Sequence, residues 1–312
     1  WSPSSGLSSN TISNPQAFPS STTIYTVTVT DVNFCIDTET VIVTIYNLPV
    51  VNAGNDTAIC VGDTIQIGGS PTSATGINFS WSPATNLNST TVANPNAFPV
   101  STITYTVIVN DANTCFNSDS IVVSVNNLPI ADAGDDTTIC DGVPVVIGGS
   151  PTGPVGSAFS WSPATSLSST TNSNPTATPS SNITYTVVVT DINSCLNSDS
   201  VQFTVNPNPV ADAGLGDTLC AGDSLQLNGS GGGLYSWTPL DSLTDPNISN
   251  PIAFPADTIT FFLIVTDGNN CKDTDSVTVN VNQLPLADAG PDLWICPFDS
   301  IQIIAGGGVI YS

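Results

Sequence analysis

The chain has 312 residues, of which 40% are hydrophobic and only 8% are charged. One basic residue stands against 25 acidic ones, and the formal net charge of −24 repels nucleic-acid phosphates and anionic membrane surfaces, so we expect neither as a partner. Histidine is absent, which removes the commonest general base and the usual partner of a Ser or Cys nucleophile. We therefore predict that the chain is not an enzyme, and the lack of any run of about 18 apolar residues predicts no membrane insertion.

A five-residue pattern recurs along the chain and defines its period. It reads Phe-Ser-Trp-Ser-Pro at 79–83 and 159–163 and Tyr-Ser-Trp-Thr-Pro at 235–239. The chain opens on half of another copy and closes on the other half, Tyr311-Ser312. The tryptophans of successive copies are 80, 80 and 76 residues apart, and a period of this length predicts tandem small domains. The predicted core tryptophans are Trp1, Trp81, Trp161 and Trp237.

Short proline signals mark the junctions between repeats. They predict the C-terminal part of a repeat at 1–47, whole repeats at 48–127, 128–207 and 208–283, and the N-terminal part of a repeat at 284–312. Links of two residues are short and stiff, so neighbouring repeats should hold a fixed angle. Because the chain begins and ends in the same phase, we expect either a longer chain that continues the series or subunits whose end strands complete one another.

Within the repeat at 48–127 the strand signals follow one another with turns between them. Strands are predicted at 50–59, across a turn, and at 64–67, 79–81, 103–109 and 121–125. The fourth of these alternates apolar residues and Thr at period two, as a half-buried strand does, and no segment has a helical period. The fold class predicted is all-β, with immunoglobulin-like β-sandwich repeats arranged head to tail.

One tyrosine position tests which side chains this fold needs. Tyr105 stands near the start of the penultimate strand, and the repeat at 208–283 has Phe261 there. The tyrosine hydroxyl should therefore not be essential to the fold.

The repeat motifs resemble a known family. The segments VNAGNDTAIC, TIQIGGS, FSWSPAT, ITYTVIVNDANTC and SIVVSVN are similar to the PKD-like and related Ig-like repeats found in giant surface proteins of Bacteroidota. The resemblance covers the whole chain. It implies a secreted, cell-surface or extracellular array, often exported by the type IX system, whose repeats are spacers, stalks or adhesive rods rather than enzymes.

Eight cysteines recur in alternating steps of 25 and 55 residues, the last long step being 51. An even, regularly placed set predicts disulfides and an oxidising exterior. Zinc is disfavoured because the chain has neither histidine nor a Cys-x-x-Cys motif.

The height of one repeat limits how these cysteines pair. A repeat about 25 Å tall separates its two poles too far for a disulfide, which needs Cα atoms about 4.4 to 6.8 Å apart. Head-to-tail stacking would instead bring Cys60 to Cys195 and Cys140 to Cys271, and Cys220 and Cys296 would pair with Cys35 and Cys115 of a following segment. The alternative is pairing within each repeat, such as Cys60 with Cys115.

Aspartates after the repeat junctions have two interpretations. They either hold calcium with oxygen ligands from two repeats or accept hydrogen bonds in turns, and we expect no other cofactor. The candidates are Asp132, Asp135, Asp136, Asp212, Asp217, Asp288 and Asp292.

Sugar attachment is predicted by two motifs, each of which is also explained by turn chemistry. The first is the Asn-x-Ser/Thr sequon. The second is Asp followed by Ser or Thr and then by an apolar residue or Thr, which is similar to the O-glycosylation motif of Bacteroidota. The sequon residues are Asn55, Asn78, Asn88, Asn182, Asn228 and Asn247. The O-glycosylation candidates are Thr57, Thr64, Ser120, Thr137, Ser200, Thr218, Ser224, Ser242, Thr258, Ser276 and Ser300.

Two functions fit these observations. The first is an extracellular filament or adhesin stalk whose partners are copies of itself or the continuation of the same chain, head to tail. The second is a spacer or carbohydrate-binding array within a larger secreted enzyme or adhesin. Trp294 stands where other repeats have Ala58, Thr138 and Thr218. If exposed, it is a candidate contact to a subunit or a sugar, and the alternative is a partly buried residue at a sheet edge.

Overall fold

The structure is a computed structural model that describes residues 1–308 and residue 310. The predicted start of another motif copy at Tyr311 and Ser312 lies outside these described residues. In the described part of the chain all regular structure is β-strand, and no segment there is a helix able to cross a bilayer. The strands are β1 (Thr23–Thr30), β2 (Ile36–Val43), β3 (Thr57–Cys60), β4 (Ile65–Gln66), β5 (Gly76–Ser82), β6 (Asn96–Ala97), β7 (Ile103–Asp111), β8 (Phe116–Asn126), β9 (Thr137–Cys140), β10 (Val145–Val146), β11 (Ala158–Ser162), β12 (Thr176–Ala177), β13 (Ile183–Thr190), β14 (Leu196–Asn206), β15 (Thr218–Cys220), β16 (Leu225–Gln226), β17 (Leu234–Thr238), β18 (Ile252–Ala253), β19 (Ile259–Thr266) and β20 (Lys272–Asn282).

The chain divides into two compact units. Unit 1 consists of Trp1–Ile130, Pro154–Ala158 and Val189–Asn197, and unit 2 consists of Ala131–Gly153, Phe159–Val188 and the described residues from Ser198 onward. Unit 1 contains the β1–β2 hairpin, the four-stranded sheet β3-β8-β7-β5 and the small sheet β4-β6. Unit 2 contains the sheet β15-β20-β19-β17, the small sheets β10-β12 and β16-β18, and most of the sheet β11-β13-β14-β9.

Each four-stranded sheet is built by the same pairing. In unit 1, β7 pairs antiparallel with both β5 and β8, and β3 adds to the far side of β8 in parallel, with Thr57 opposite Val123 and Ile59 opposite Val125. The same parallel pair recurs between β9 and β14 and between β15 and β20. A segment early in each repeat therefore completes a sheet whose other strands come later in the chain.

The core lies between the four-stranded sheet and the two-stranded sheet that faces it. Alternate residues of β7, Tyr105, Val107 and Val109, are fully buried, and they pack with Ile67 and Ala97 from the region of the small sheet. The intervening positions of β7 point outward, as the two-residue period of a strand requires. This arrangement confirms the predicted fold class of tandem immunoglobulin-like β-sandwiches.

The recurring tryptophans occupy this core with one exception. Trp81, Trp161 and Trp237 are at most 2% exposed, and the Trp81 indole N–H donates to the carbonyl of Val92 at 3.0 Å. Trp1 is only partly buried, because the segment 1–47 forms a two-stranded sheet rather than the four-stranded sheet that covers the others. The core position predicted for Trp1 belongs to a whole repeat and stays a prediction.

Three strand predictions need correction. The strand predicted at 50–59 begins only at Thr57, because Asn52 accepts a hydrogen bond from the backbone N–H of Gly54, whose φ of 99° turns the chain. The strand predicted at 64–67 shortens to two residues, and the strand predicted at 121–125 begins at Phe116. The short strand β6 was not predicted, because its two residues are too few to show an alternating pattern.

The tyrosine hydroxyl near the start of the penultimate strand is hydrogen-bonded, but the fold does not depend on it. The Tyr105 hydroxyl donates to the carbonyl of Thr85 at 2.8 Å, and Tyr185 makes the equivalent bond to Thr165 at 2.9 Å. Burial raises the pKa of both tyrosines. Phe261 is equally buried without a hydroxyl, so the ring fills the core in every repeat and the hydrogen bond is an addition.

Candidate functional site in two recurring cysteine loops

Four of the eight cysteines end an Asp-x-Asn-x-Cys loop, here called the acidic loop. In the loop at 191–195, the Asp191 carboxylate accepts hydrogen bonds from the backbone N–H groups of Asn193 at 2.9 Å and Cys195 at 2.8 Å. The Asp191 N–H donates to the carbonyl of Cys195, and Ser194 has a φ of 66°. These local bonds hold the cysteine in one orientation. The acidic loops are 31–35, 111–115, 191–195 and 267–271.

The other four cysteines begin a tight turn at the end of a short strand or strand-like segment, here called the cysteine turn. In the first, the Asp63 N–H donates to the Cys60 carbonyl at 3.0 Å, and the Asp63 carboxylate accepts from the Cys60 N–H at 3.0 Å. Gly62 has a φ of 94°, a conformation that costs glycine little. The fourth turn has Phe298 in that place, with a φ of 76°. The cysteine turns are 60–63, 140–143, 220–223 and 296–299.

Two disulfides join a cysteine turn to an acidic loop. Cys60 is bonded to Cys195 within unit 1, with Cα atoms 5.6 Å apart. Cys140 is bonded to Cys271 within unit 2, with Cα atoms 5.5 Å apart. Both pairs are those that head-to-tail stacking predicts, and the alternative pair, Cys60 with Cys115, is not formed. Cys195 and Cys271 are fully buried, which shields the bonds from soluble thiols.

The remaining four cysteines lie in the same two kinds of loop but carry free thiols. Cys35 and Cys115 belong to acidic loops, and Cys220 and Cys296 belong to cysteine turns. All are exposed except Cys115, which is half-buried. The chain thus presents two unpaired members of each class.

A second recurring feature ties the start of each repeat to its last strand. The Asp119 carboxylate accepts a hydrogen bond from the buried N–H of Ala53 at 2.8 Å, across 66 residues of sequence. Asp199 and Asp275 do the same for Ala133 and Ala213, at 2.8 and 2.7 Å. Sequence reasoning missed this role, because the Asp-Ser motif was interpreted only as glycosylation of the following serine or as turn chemistry. The recurrence of Asp at this point of every whole repeat was the available signal.

These bonds change the acidity of one carboxyl group. The N–H groups of Ala213 and Ser276 donate to Asp275 and lower the pKa of its carboxyl below the ordinary value. A hydrogen bond to the charged form has this effect because it favours ionisation.

Three of the predicted calcium ligands accept hydrogen bonds within turns, and two others accept backbone hydrogen bonds elsewhere. Asp132, Asp212 and Asp288 each accept from the backbone N–H two residues later, that of Gly134, Gly214 or Gly290. Asp136 accepts from the Gln202 N–H, and Asp217 accepts from the N–H of Thr218. Asp135 and Asp292 are exposed. Within the described residues no group of three or more acidic or cysteine side chains is placed to hold a metal ion.

The predicted glycosylation sites are accessible. All six sequon asparagines are exposed, and none of the O-glycosylation candidates is buried. Thr57, Thr137 and Ser242 are half-buried and the other eight are exposed. Trp294 is also open to solvent, with 87% of its surface exposed.

No family model matches the chain, and a search of curated proteins finds no match. Among solved structures, the chain is similar to a three-domain fragment of the titin I-band in an E-to-A variant, with 14% identity over 75% of this chain and 98% of the fragment and a TM-score of 0.39. It is also similar to the N-terminal eight Ig domains of the Down syndrome cell adhesion molecule, with 13% identity over 84% of this chain and 40% of that one and a TM-score of 0.42. The insect immune protein hemolin is 11% identical over 75% of this chain and 76% of its own, with a TM-score of 0.28.

Similarities at this level of identity and TM-score carry no argument about function. The geometry itself shows tandem Ig-like sandwiches joined by two long-range disulfides, which fits a structural or adhesive repeat protein. Disulfides are also the mark of an oxidising environment.

Proposed function

We propose that the chain is an extracellular structural protein that forms a rigid filament or adhesin stalk from stacked, disulfide-stabilised and glycosylated Ig-like repeats. The observation that carries this proposal is the pairing of each bonded cysteine turn with an acidic loop more than 130 residues away. In each bond, a cysteine turn is joined to the acidic loop of the next repeat along the sequence and not to the acidic loop of its own repeat.

Such bonds suit a protein that bears tension. A crosslink between residues 135 positions apart prevents the enclosed segment from extending, and it removes conformational freedom from the unfolded chain. A stalk under shear that carries such bonds keeps its length.

Composition and surface chemistry support the extracellular part of the proposal. One basic residue in 312 leaves few sites for the common trypsin-like proteases. The exposed sequons and Asp-Ser/Thr motifs are open to glycosylating enzymes, in agreement with the resemblance to PKD-like repeats of Bacteroidota surface proteins, which remains a prediction.

The test is immunogold electron microscopy of intact source cells with an antibody against residues 48–283, together with peptide mass spectrometry of the native protein. We expect label along fibres outside the cell, and peptides spanning the sequons and Asp-Ser/Thr motifs whose masses exceed those of the bare sequence. Label confined to the cytoplasm would contradict the proposed function, and bare masses for all of these peptides would remove the glycans from it.

A further inference from the structure

The fourth cysteine turn carries two aromatic side chains that the other three turns lack. Phe298 stands where the others have glycine, and Trp294 lies two residues before Cys296, where the other repeats have Ala or Thr. Trp294 is 87% exposed and Phe298 is fully exposed. The two rings line one cavity together with Asp299, so they belong to a single surface.

Phe298 has a backbone conformation that favours glycine. Its φ of 76° lies in the left-handed region, where a bulky side chain is strained. Gly62, Gly142 and Gly222 have this conformation in the other turns, with φ values of 94°, 74° and 97°. The fully exposed ring of Phe298 does not offset the strain by packing in a core. Strain that packing does not explain indicates a role for the side chain in function.

The whole repeats show that both positions face solvent when every strand of a repeat is present. A side chain at Gly62 or Gly142 would have no atom within 4 Å of its Cβ, although both turns are disulfide-bonded to the acidic loop of the next repeat. The residues in the place of Trp294 are all exposed, and they are Ala58, Thr138 and Thr218. The exposure of the two rings is therefore a property of their positions, whatever chain completes the repeat.

Acidic groups accompany the two rings, and no basic group does. Asp288, Asp292 and Asp299 are exposed, and the segment 284–308 contains no basic residue. The net charge of −24 gives the whole chain a field that attracts cations and repels anions. The face of an aromatic ring also attracts a cation, and that of Trp does so most strongly. Two exposed rings in acidic surroundings therefore favour a cationic ligand.

Among biological cations, the guanidinium group of arginine suits this surface best. It is planar, stacks on aromatic faces and is more weakly hydrated than an ammonium group. It also donates paired hydrogen bonds to a carboxylate, and Asp299 supplies an exposed carboxylate beside the rings.

We propose that Trp294, Phe298 and Asp299 form a binding site for an arginine-bearing segment of another protein. The inference goes beyond the proposed function and holds whether or not the chain forms a fibre. A second copy of the chain is not the ligand, because its one basic residue is Lys272 and it has no arginine.

The first experiment titrates the purified chain with a tetra-arginine peptide by isothermal calorimetry at physiological ionic strength. A tetra-lysine peptide of equal charge and the neutral sugar cellotetraose are titrated beside it. We expect the arginine peptide to bind most tightly, because its planar groups stack on the rings. Equal affinity for the two peptides, or tighter binding of the sugar, would overturn the proposal.

The second experiment removes the rings without changing the charge of the chain. Trp294→Thr combined with Phe298→Gly restores the residue types of the other turns, and it should weaken binding of the arginine peptide about ten-fold through the loss of two cation–π contacts. Phe262→Thr is the matched control and should bind like the wild type, because Phe262 is a 54% exposed ring whose place is taken by Thr106 and Thr186 in other repeats. Unchanged affinity in the double variant would mean that general electrostatic attraction alone holds the peptide, which contradicts the proposed site.

The third experiment transplants the site into a whole, disulfide-bonded repeat. The turn at 60–63 has Asp63 in the place of Asp299, so Ala58→Trp combined with Gly62→Phe should add a second site and double the stoichiometry of the calorimetric titration. Ala58→Thr is the control and should add none. A peptide map that contains the Cys60–Cys195 bond shows that the altered turn is folded. A folded variant with unchanged stoichiometry would show that the two rings do not make a site.

Discussion

Single hydrogen bonds between a carboxylate and a buried N–H connect the two halves of each repeat. Asp275 is the clearest case, because the N–H it accepts belongs to Ala213, which is only 1% exposed. A buried N–H that loses its acceptor is left without a hydrogen bond either to protein or to water. Removing the acceptor therefore destabilises the protein by more than the net energy of one hydrogen bond.

We predict that Asp275→Ala lowers the free energy of unfolding by about 1–3 kcal/mol at neutral pH, since the N–H of Ala213 is left without an acceptor. Urea unfolding followed by tryptophan fluorescence measures this. The wild type should also lose stability on acidification: the folded-state pKa of Asp275 lies below its unfolded value, so its contribution is present above about pH 4 and is lost as the pH falls through the folded pKa.

The alanine variant should therefore have a flatter acid limb than the wild type. Asp275→Asn is the control, because it keeps an acceptor oxygen but has no charge to titrate, and it should lie between the two at neutral pH. Equal stability of the wild type and the alanine variant at neutral pH would show that water satisfies the Ala213 N–H.

At the scale of elements, the acidic loop is a local device for presenting a cysteine. Its shape is determined within five residues, by the Asp carboxylate, two backbone N–H donors and one residue at positive φ. This explains why the loop keeps its form whether its cysteine is bonded, as in Cys195, or free, as in Cys35.

We expect Asp191→Ala to loosen the loop at Cys195, so that the Cys60–Cys195 bond is reduced at a several-fold lower dithiothreitol concentration than in the wild type. Alkylation of the released thiols, followed by peptide mass spectrometry, measures each bond separately. The Cys140–Cys271 bond is the internal control, because its own acidic loop is held by Asp267 and stays intact. Unchanged reduction of Cys60–Cys195 would mean that burial alone protects it.

For the whole molecule, the two disulfides enclose overlapping segments, because Cys140 lies between Cys60 and Cys195 in the sequence. Neither enclosed segment can extend while its bond is intact. With both disulfides intact, the shortest covalent path from one end of the chain to the other is therefore much shorter than the fully extended chain.

Single-molecule pulling between residues 48 and 284 should show this directly. The reduced chain should extend to about 80 nm, and the oxidised chain to about 28 nm, at about 3.4 Å per residue along the shortest covalent path, which passes through both disulfides. A Cys60→Ser, Cys140→Ser variant should extend like the reduced wild type under both conditions. Equal extension of the oxidised and reduced wild type would show that these disulfides carry no tension.

The features that could be predicted from the sequence are those with short-range causes. The repeat length follows from the recurring tryptophan motif, the sandwich from the two-residue alternation of strands such as β7, and the two classes of cysteine from local loop motifs. The disulfide pairs needed one more physical quantity, the height of a repeat against the short reach of a disulfide.

Only the tertiary structure decided the features that depend on residues far apart in sequence. The parallel addition of β3 to β8 and the bond from Ala53 to Asp119 each span 66 residues, and no local pattern encodes such a contact. Burial was decided in the same way. Val29 and Val109 hold equivalent positions in their strands, but one is 59% exposed and the other is fully buried, because a strand's apolar face is covered only when a distant segment packs on it.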